Sequence, residues 1–174
     1  MTPIREDDEY ANFRASIQAM YGKMKIPMKI DITTGDKITP EEIQFLYPFL
    51  FDNRQVVVKA YTQETILAEK YETIIRRNVG NTRARDFYDL HLLYQIYLDN
   101  PDWKLLKQAV LSTAMKRGSL SVLQDTKRIL PAMETSTILQ NLWNRFQMQN
   151  LYARNIQYST IMKMVKDFSE KLDF

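Results

Sequence analysis

The hydrophobic period changes once along this chain, and that change limits what it can fold into. Before Thr62 apolar residues recur at every second position; after it they recur at every third or fourth. A period of two sends alternate side chains to opposite faces of a strand, whereas a period near 3.6 lines them along one stripe of a helix. Residues 10–21 set Phe13, Ala15, Ile17, Ala19 and Tyr21 on one side. Residues 25–33 alternate Ile26, Met28, Ile30 and Ile32 with Lys25, Lys29, Asp31 and Thr33, and Pro27 confines that strand to an edge or a strand start. Thr34, Gly35 and Asp36 read as a turn, and residues 42–51 and 55–60 as two more short strands with Asp52 and Asn53 between them. These segments predict a small, mostly antiparallel sheet over residues 10–60, hence an α+β fold in which the sheet is followed by an α-helical C-terminal part.

From Thr62 onward the stripes are helical. Thr62 is the expected N-cap of a helix reaching Arg77, with Ile66, Leu67, Tyr71, Ile74 and Ile75 inward. Residues 78–81, including Gly80, stop it. A second helix begins at Thr82, carries Phe87, Leu90, Leu93, Tyr94 and Tyr97, and ends at Asp99-Asn100-Pro101. Further helices are expected near 102–117, 135–150 and 155–172, with a segment at 120–130 closed by Pro131.

At 174 residues and 45% hydrophobic content the chain can build a core without staples. It has no cysteine, so thiolate metal sites, iron–sulfur clusters, disulfide scaffolds and Cys nucleophiles are excluded. A lone histidine, His91, excludes HExxH chemistry and multi-His metal sites, and no role is assigned to it. Four scattered glycines exclude GxGxxG and Walker A loops. No apolar run approaches the ~18 residues of a membrane span, and the acidic start is unlike a signal peptide, so a cytoplasmic protein with no membrane partner is expected. Residues 1–100 carry 13 basic and 15 acidic side chains, and residues 101–174 carry 11 and 6, so the C-terminal part is the basic one. Such a bias suits a phosphate-rich partner, and equally a solvated helical surface.

Three places depart from a plain amphipathic pattern. Asp31 ends a strand, where a carboxylate can reach a metal or a hydroxyl, or simply face solvent on an edge. Lys70 lies beside the inward stripe of its helix, four residues after Ile66 and four before Ile74, where a lysine snorkels or meets an anion. Asp86 and Asp89 stand four residues before Leu90 and Leu93, bordering an inward face, with Lys70, Arg76, Arg77, Arg83 and Arg85 as candidate partners. Either a structural salt bridge between two helices or a phosphate-binding cationic set braced by aspartates satisfies that spacing.

Three words in order, Lys29-Ile30-Asp31-Ile32-Thr33-Thr34-Gly35-Asp36, Thr65-Ile66-Leu67-Ala68-Glu69-Lys70 and Asn81-Thr82-Arg83-Ala84-Arg85-Asp86-Phe87-Tyr88-Asp89-Leu90, resemble the AbiEii-type nucleotidyltransferase toxins of bacterial abortive-infection and type IV toxin–antitoxin systems. The Leu142-Trp143-Asn144 and Asn150-Leu151-Tyr152-Ala153 region resembles the helical C-terminal part of that family. The resemblance implies a DNA polymerase β-like nucleotidyltransferase fold. Here that means a partial core over residues 1–98 with a helical region over 99–174 packed on it. It also implies roles. Asp31 matches the third metal-binding carboxylate, Lys70 the catalytic lysine that contacts a triphosphate, and Asp86 the aspartate of an RxKD-type motif. Arg83, Arg85 and Asp89 fall with the phosphate-binding set, and Arg85 stands where lysine is usual.

The family's glycine turn and DxD strand have no counterpart in residues 1–30, and Glu6-Asp7-Asp8-Glu9 reads as a solvated face. The resemblance therefore implies a toxin that in full form uses Mg2+ and a nucleoside triphosphate to modify an RNA, tRNA included, or a protein hydroxyl. This chain alone would then lack its N-terminal segment, hold magnesium weakly or not at all, and be inactive. The alternative is a non-catalytic protein that binds RNA or a cognate antitoxin.

Overall fold

The computed structural model describes residues 2–3 and 13–174. The run Glu6-Asp7-Asp8-Glu9 and the first residues of the strand expected from position 10 lie outside the described residues. The chain divides into two compact units, Met1–Asp36 and Lys37–Phe174.

The first unit is a three-stranded antiparallel sheet in the order β1 (Thr2–Pro3), β2 (Phe13–Tyr21), β3 (Met24–Ile32). Gly22 takes a positive φ of 59° in the two-residue loop between β2 and β3, a conformation that hairpin loops of this length require and glycine meets without steric cost. The register realises the period-two pattern. Phe13 faces Ile32, Ala15 faces Ile30, Ile17 faces Met28 and Ala19 faces Ile26, while the other face pairs Arg14 with Asp31 and Ser16 with Lys29. Pro27 sits opposite Gln18 in β3, an edge strand, where a missing N–H costs no second ladder. The apolar face is only half covered; Ile26, Met28 and Ile30 are each 46–49% exposed.

The second unit begins with a separate hairpin of β4 (Ile43–Pro48) and β5 (Gln55–Ala60). Among the described residues two sheets thus stand where one was expected. Alternation assigns each residue to a face, but it does not say which strands pair, and each hairpin here completes its own ladder.

Seven helices follow: α1 (Gln63–Arg77), α2 (Ala84–Tyr97), α3 (Trp103–Lys116), α4 (Leu120–Gln124), α5 (Thr126–Glu134), α6 (Thr137–Gln149) and α7 (Tyr158–Lys171). Thr62 caps α1 as expected, its hydroxyl accepting from the Thr65 N–H at 3.2 Å. The Thr62 hydroxyl also donates to the Thr39 carbonyl at 2.8 Å, which ties the segment before β4 to the start of α1. The second helix starts at Ala84 rather than Thr82, with the Asn81 side chain accepting the Arg83 N–H at 2.8 Å. Pro131 does not close a helix as expected. It lies inside α5, where its ring forfeits a single backbone bond, and Thr135 returns both its N–H and its hydroxyl to the Pro131 carbonyl.

One core runs through the helices. α1 is its centre, packing on α2, α3 and α4, with Leu67, Ala68, Tyr71, Ile74 and Ile75 no more than 1% exposed. Leu106, Val110, Ile161, Val165 and Phe168 fill the rest. Polar ends inside the core are tied down: the Tyr71 hydroxyl pairs with Ser169 Oγ at 2.7 Å, the Tyr94 hydroxyl donates to Asp167 at 2.6 Å, and the Trp143 Nε1–H donates to the Ile156 carbonyl at 2.8 Å. A carboxylate is buried there too. Glu72 is 1% exposed and accepts from Arg76 Nε, Arg117 and the Ser119 hydroxyl, each at 2.7 Å.

Candidate functional site

The packing of α1 on α2 places Lys70 beside the first turn of α2. Its ammonium donates to Asp86 Oδ1 and Asp89 Oδ2, each at 2.8 Å. Asp86 and Asp89 are three residues apart, so they share a face of α2 and hold one ammonium between them. Asp86 also stands in the helix's first turn, where the unpaired N–H groups favour a negative charge.

Burial alone would push the Lys70 ammonium below its ordinary range. The hydrogen bonds and charges of Asp86 and Asp89 together outweigh it, and its pKa is raised. Arg83 Nε lies 3.4 Å from Asp86 Oδ2, and Arg85 Nε 3.8 Å from Asp89 Oδ2. Asp86 Oδ2 is shut off from solvent and makes no hydrogen bond among the described residues, so Arg83 is its counter-charge.

These groups line one open cleft of about 820 Å3, a volume in the range of small-molecule sites. Lys70 contributes from α1; Arg83 and Thr82 precede α2, and Ala84, Arg85, Asp86 and Asp89 lie on it. Leu142, Arg145, Phe146 and Gln149 complete the lining from α6. Five of the residues singled out in the sequence, Lys70, Arg83, Arg85, Asp86 and Asp89, thus come together. Arg76 and Arg77 are not in the lining, and Arg76 serves the buried Glu72 instead. His91 lies next to Gln95, at 3.3 Å, with its pKa lowered by burial, and takes no part in the cleft.

The α6 wall was missed by sequence reasoning. One signal for it exists: Arg145 is the lone charged residue of α6, and Leu142, Arg145, Phe146 and Gln149 fall at positions i, i+3, i+4 and i+7, one face of the helix.

Asp31 belongs to the first unit. It is half exposed on the polar face of β3, and both its oxygens are engaged by its cross-strand partner Arg14, from Nε at 2.6 Å and from Nη2 at 2.8 Å. The hydrogen bond from Arg14 lowers the Asp31 pKa against an opposing desolvation, and the charges of Arg14 and Lys29 add to the lowering. Among the described residues no three His, Cys, Asp or Glu side chains gather so that they could hold a metal ion. Magnesium needs several hard oxygen ligands in octahedral array, and an aspartate already forked by an arginine does not supply them. No helix among them is long and apolar enough to cross a membrane.

No curated protein and no solved structure matches this chain. The family model described as "Nucleotidyl transferase AbiEii toxin, Type IV TA system" matches residues 1–173. That match runs over nearly the full length, so the chain belongs to the AbiEii nucleotidyltransferase toxin family of type IV toxin–antitoxin systems.

Proposed function

We propose that the cleft walled by α1, α2 and α6 receives the phosphates of a nucleoside triphosphate, and that the nucleotide is destined for an RNA acceptor, tRNA included, or for a protein hydroxyl. The observation that carries this reading is the excess of cations in the cleft. Lys70, Arg83, Arg85 and Arg145 face two carboxylates, Asp86 and Asp89. Anions entering such a site meet preorganised donors, and the half-exposed Arg83 and largely exposed Arg85 offer planar forks suited to phosphate oxygens.

In the transfer, the acceptor hydroxyl oxygen bonds to the α-phosphorus and the bond from that phosphorus to the β-bridging oxygen breaks. Pyrophosphate leaves, and the hydroxyl proton passes to a base or to solvent. The reading gives this chain's residues the tasks of binding and orienting the triphosphate, with Lys70 held in place by Asp86 and Asp89. Membership of the family implies a cognate antitoxin as partner.

Calorimetric titration of the four ribonucleoside triphosphates into the wild type, Lys70→Ala and Arg83→Ala at two salt concentrations tests the reading. The expected result is salt-sensitive binding by the wild type that both substitutions weaken. Equal binding by wild type and Lys70→Ala would remove Lys70 from the site. RNA or antitoxin binding indifferent to nucleotide and to both substitutions would favour a non-catalytic binding protein.

A further inference from the structure

The α6 side of the cleft has a different chemistry from the rest, and apart from Arg145 phosphate binding does not use it. Its face toward the cleft carries Leu142, Arg145, Phe146 and Gln149: two apolar groups, a cation and an amide. Phe146 is half-buried, and rings surround it. Trp143 lies 5.5 Å away between centroids, Tyr88 6.1 Å and Tyr152 6.2 Å, and Tyr88 and Tyr152 are themselves 4.8 Å apart. Packed among three rings, the Phe146 side chain presents a fixed apolar surface at low entropic cost. Arg145 next to it donates from Nε to the Asn141 carbonyl at 3.4 Å and has no carboxylate within ion-pair distance among the described residues. Gln149 is exposed, so its amide offers both a donor and an acceptor.

A cleft that is cationic toward α1 and α2, and aromatic with an amide toward α6, matches a ligand that is anionic at one end and flat and hydrogen-bonding at the other. A nucleotide has both ends; a bare polyphosphate has one. We propose that the α6 face recognises the nucleoside end of the bound nucleotide: Phe146 stacks on the base, Gln149 hydrogen-bonds to its edge, and Arg145 adds a cation on that side of the phosphates. The proposal rests on the phosphate reading of the same cleft and assigns its selectivity to residues outside the Lys70 and α2 set.

The test compares inorganic triphosphate with the four ribonucleoside triphosphates, titrated into the full chain as wild type, Phe146→Leu, Gln149→Ala and Arg83→Ala. The wild type is expected to bind one nucleoside triphosphate more tightly than inorganic triphosphate. Phe146→Leu is expected to weaken that nucleotide about tenfold, the scale of one base–aromatic stack, and to leave inorganic triphosphate unchanged. Gln149→Ala changes an exposed side chain and keeps the fold, and it is expected to narrow the spread among the four nucleotides while again sparing triphosphate. Arg83→Ala is expected to weaken both ligand classes together. Equal wild-type affinity for triphosphate and every nucleotide would overturn the proposal and leave the phosphate reading standing. So would an unchanged nucleotide spread in Gln149→Ala with Phe146→Leu weakening both classes alike. Failure of the wild type to bind triphosphate or any nucleotide would overturn both.

Discussion

Replacing Asp86 by asparagine separates an aspartate that holds two helices together from one that merely lines a cleft. The Asp86 side chain is 7% exposed, accepts from Lys70 at 2.8 Å and has Arg83 Nε at 3.4 Å. Removing one member of a fully buried ion pair costs about 3–5 kcal/mol, because the remaining charge is left uncompensated. Two features reduce that here: Lys70 keeps Asp89 at 2.8 Å, and its side chain is 27% exposed. Against this, the first turn of α2 loses a favourable negative charge worth roughly 0.3–1 kcal/mol. Asparagine retains an acceptor where Lys70 donates, so the hydrogen bond survives without its charge. The net expectation is a loss of about 1–3 kcal/mol. With a urea dependence of about 1–3 kcal/mol per molar, the unfolding midpoint should fall by roughly 1 M. Urea unfolding followed by circular dichroism reads this directly, and a cycle with Lys70→Met isolates the pair. A midpoint shift worth less than about 0.5 kcal/mol, or a rise, would refute the bracing role and leave Asp86 as a group whose placement costs stability.

Glu72→Gln should cost more, about 3–5 kcal/mol, since the carboxylate is 1% exposed and takes three hydrogen bonds, two from arginines; a loss no larger than that of an exposed substitution in the same urea assay would contradict the buried network. Alkaline pH should weaken the fold. The Lys70 pKa is raised, and burial pushes the Tyr71 hydroxyl up to about 12, so both folded values exceed the unfolded ones. Their contributions are complete below about pH 10 and fade as pH rises through the folded values, so the thermal midpoint should hold level to about pH 9 and drop above it. His91 has the opposite sign. Its pKa is lowered by burial, so its contribution is complete above about pH 6.5 and is lost as pH falls through the folded value. Asp31→Asn should leave the urea midpoint unchanged, because its pair with Arg14 is open to solvent; a clear shift would mean that the pair holds the hairpin.

The features legible in the sequence are those that neighbours a few residues apart determine. The switch of period at Thr62, the Thr62 cap, the inward stripe of α1 and the cross-strand alternation around Asp31 all act within one element. The clustering of Lys70 with Asp86 and Asp89 could be anticipated because α1 and α2 are consecutive and each presents its charges beside an apolar stripe. What stayed hidden depends on partners far along the chain. Glu72 looks like any helix-surface glutamate until Arg117 and Ser119, more than forty residues later, close over it. Arg145 and Phe146 reach the cleft only because α6 packs against α2. Pro131 carries a strong local stop signal, and the packing of Ile129, Leu130 and Met133 into the core overrides it.

The half-covered face of the β2–β3 hairpin sets a timescale as well as a shape. A narrow antiparallel sheet with its apolar side open to water has little burial to resist local opening, so its amide protons should exchange with solvent long before those of α1. Asp31 sits on that hairpin, opposite Arg14, and its orientation lasts only as long as the ladder does. An apolar surface laid over Ile17, Met28 and Ile30 would therefore lengthen the lifetime of the Asp31 geometry without touching Asp31, since the two lie on opposite faces of the same strands.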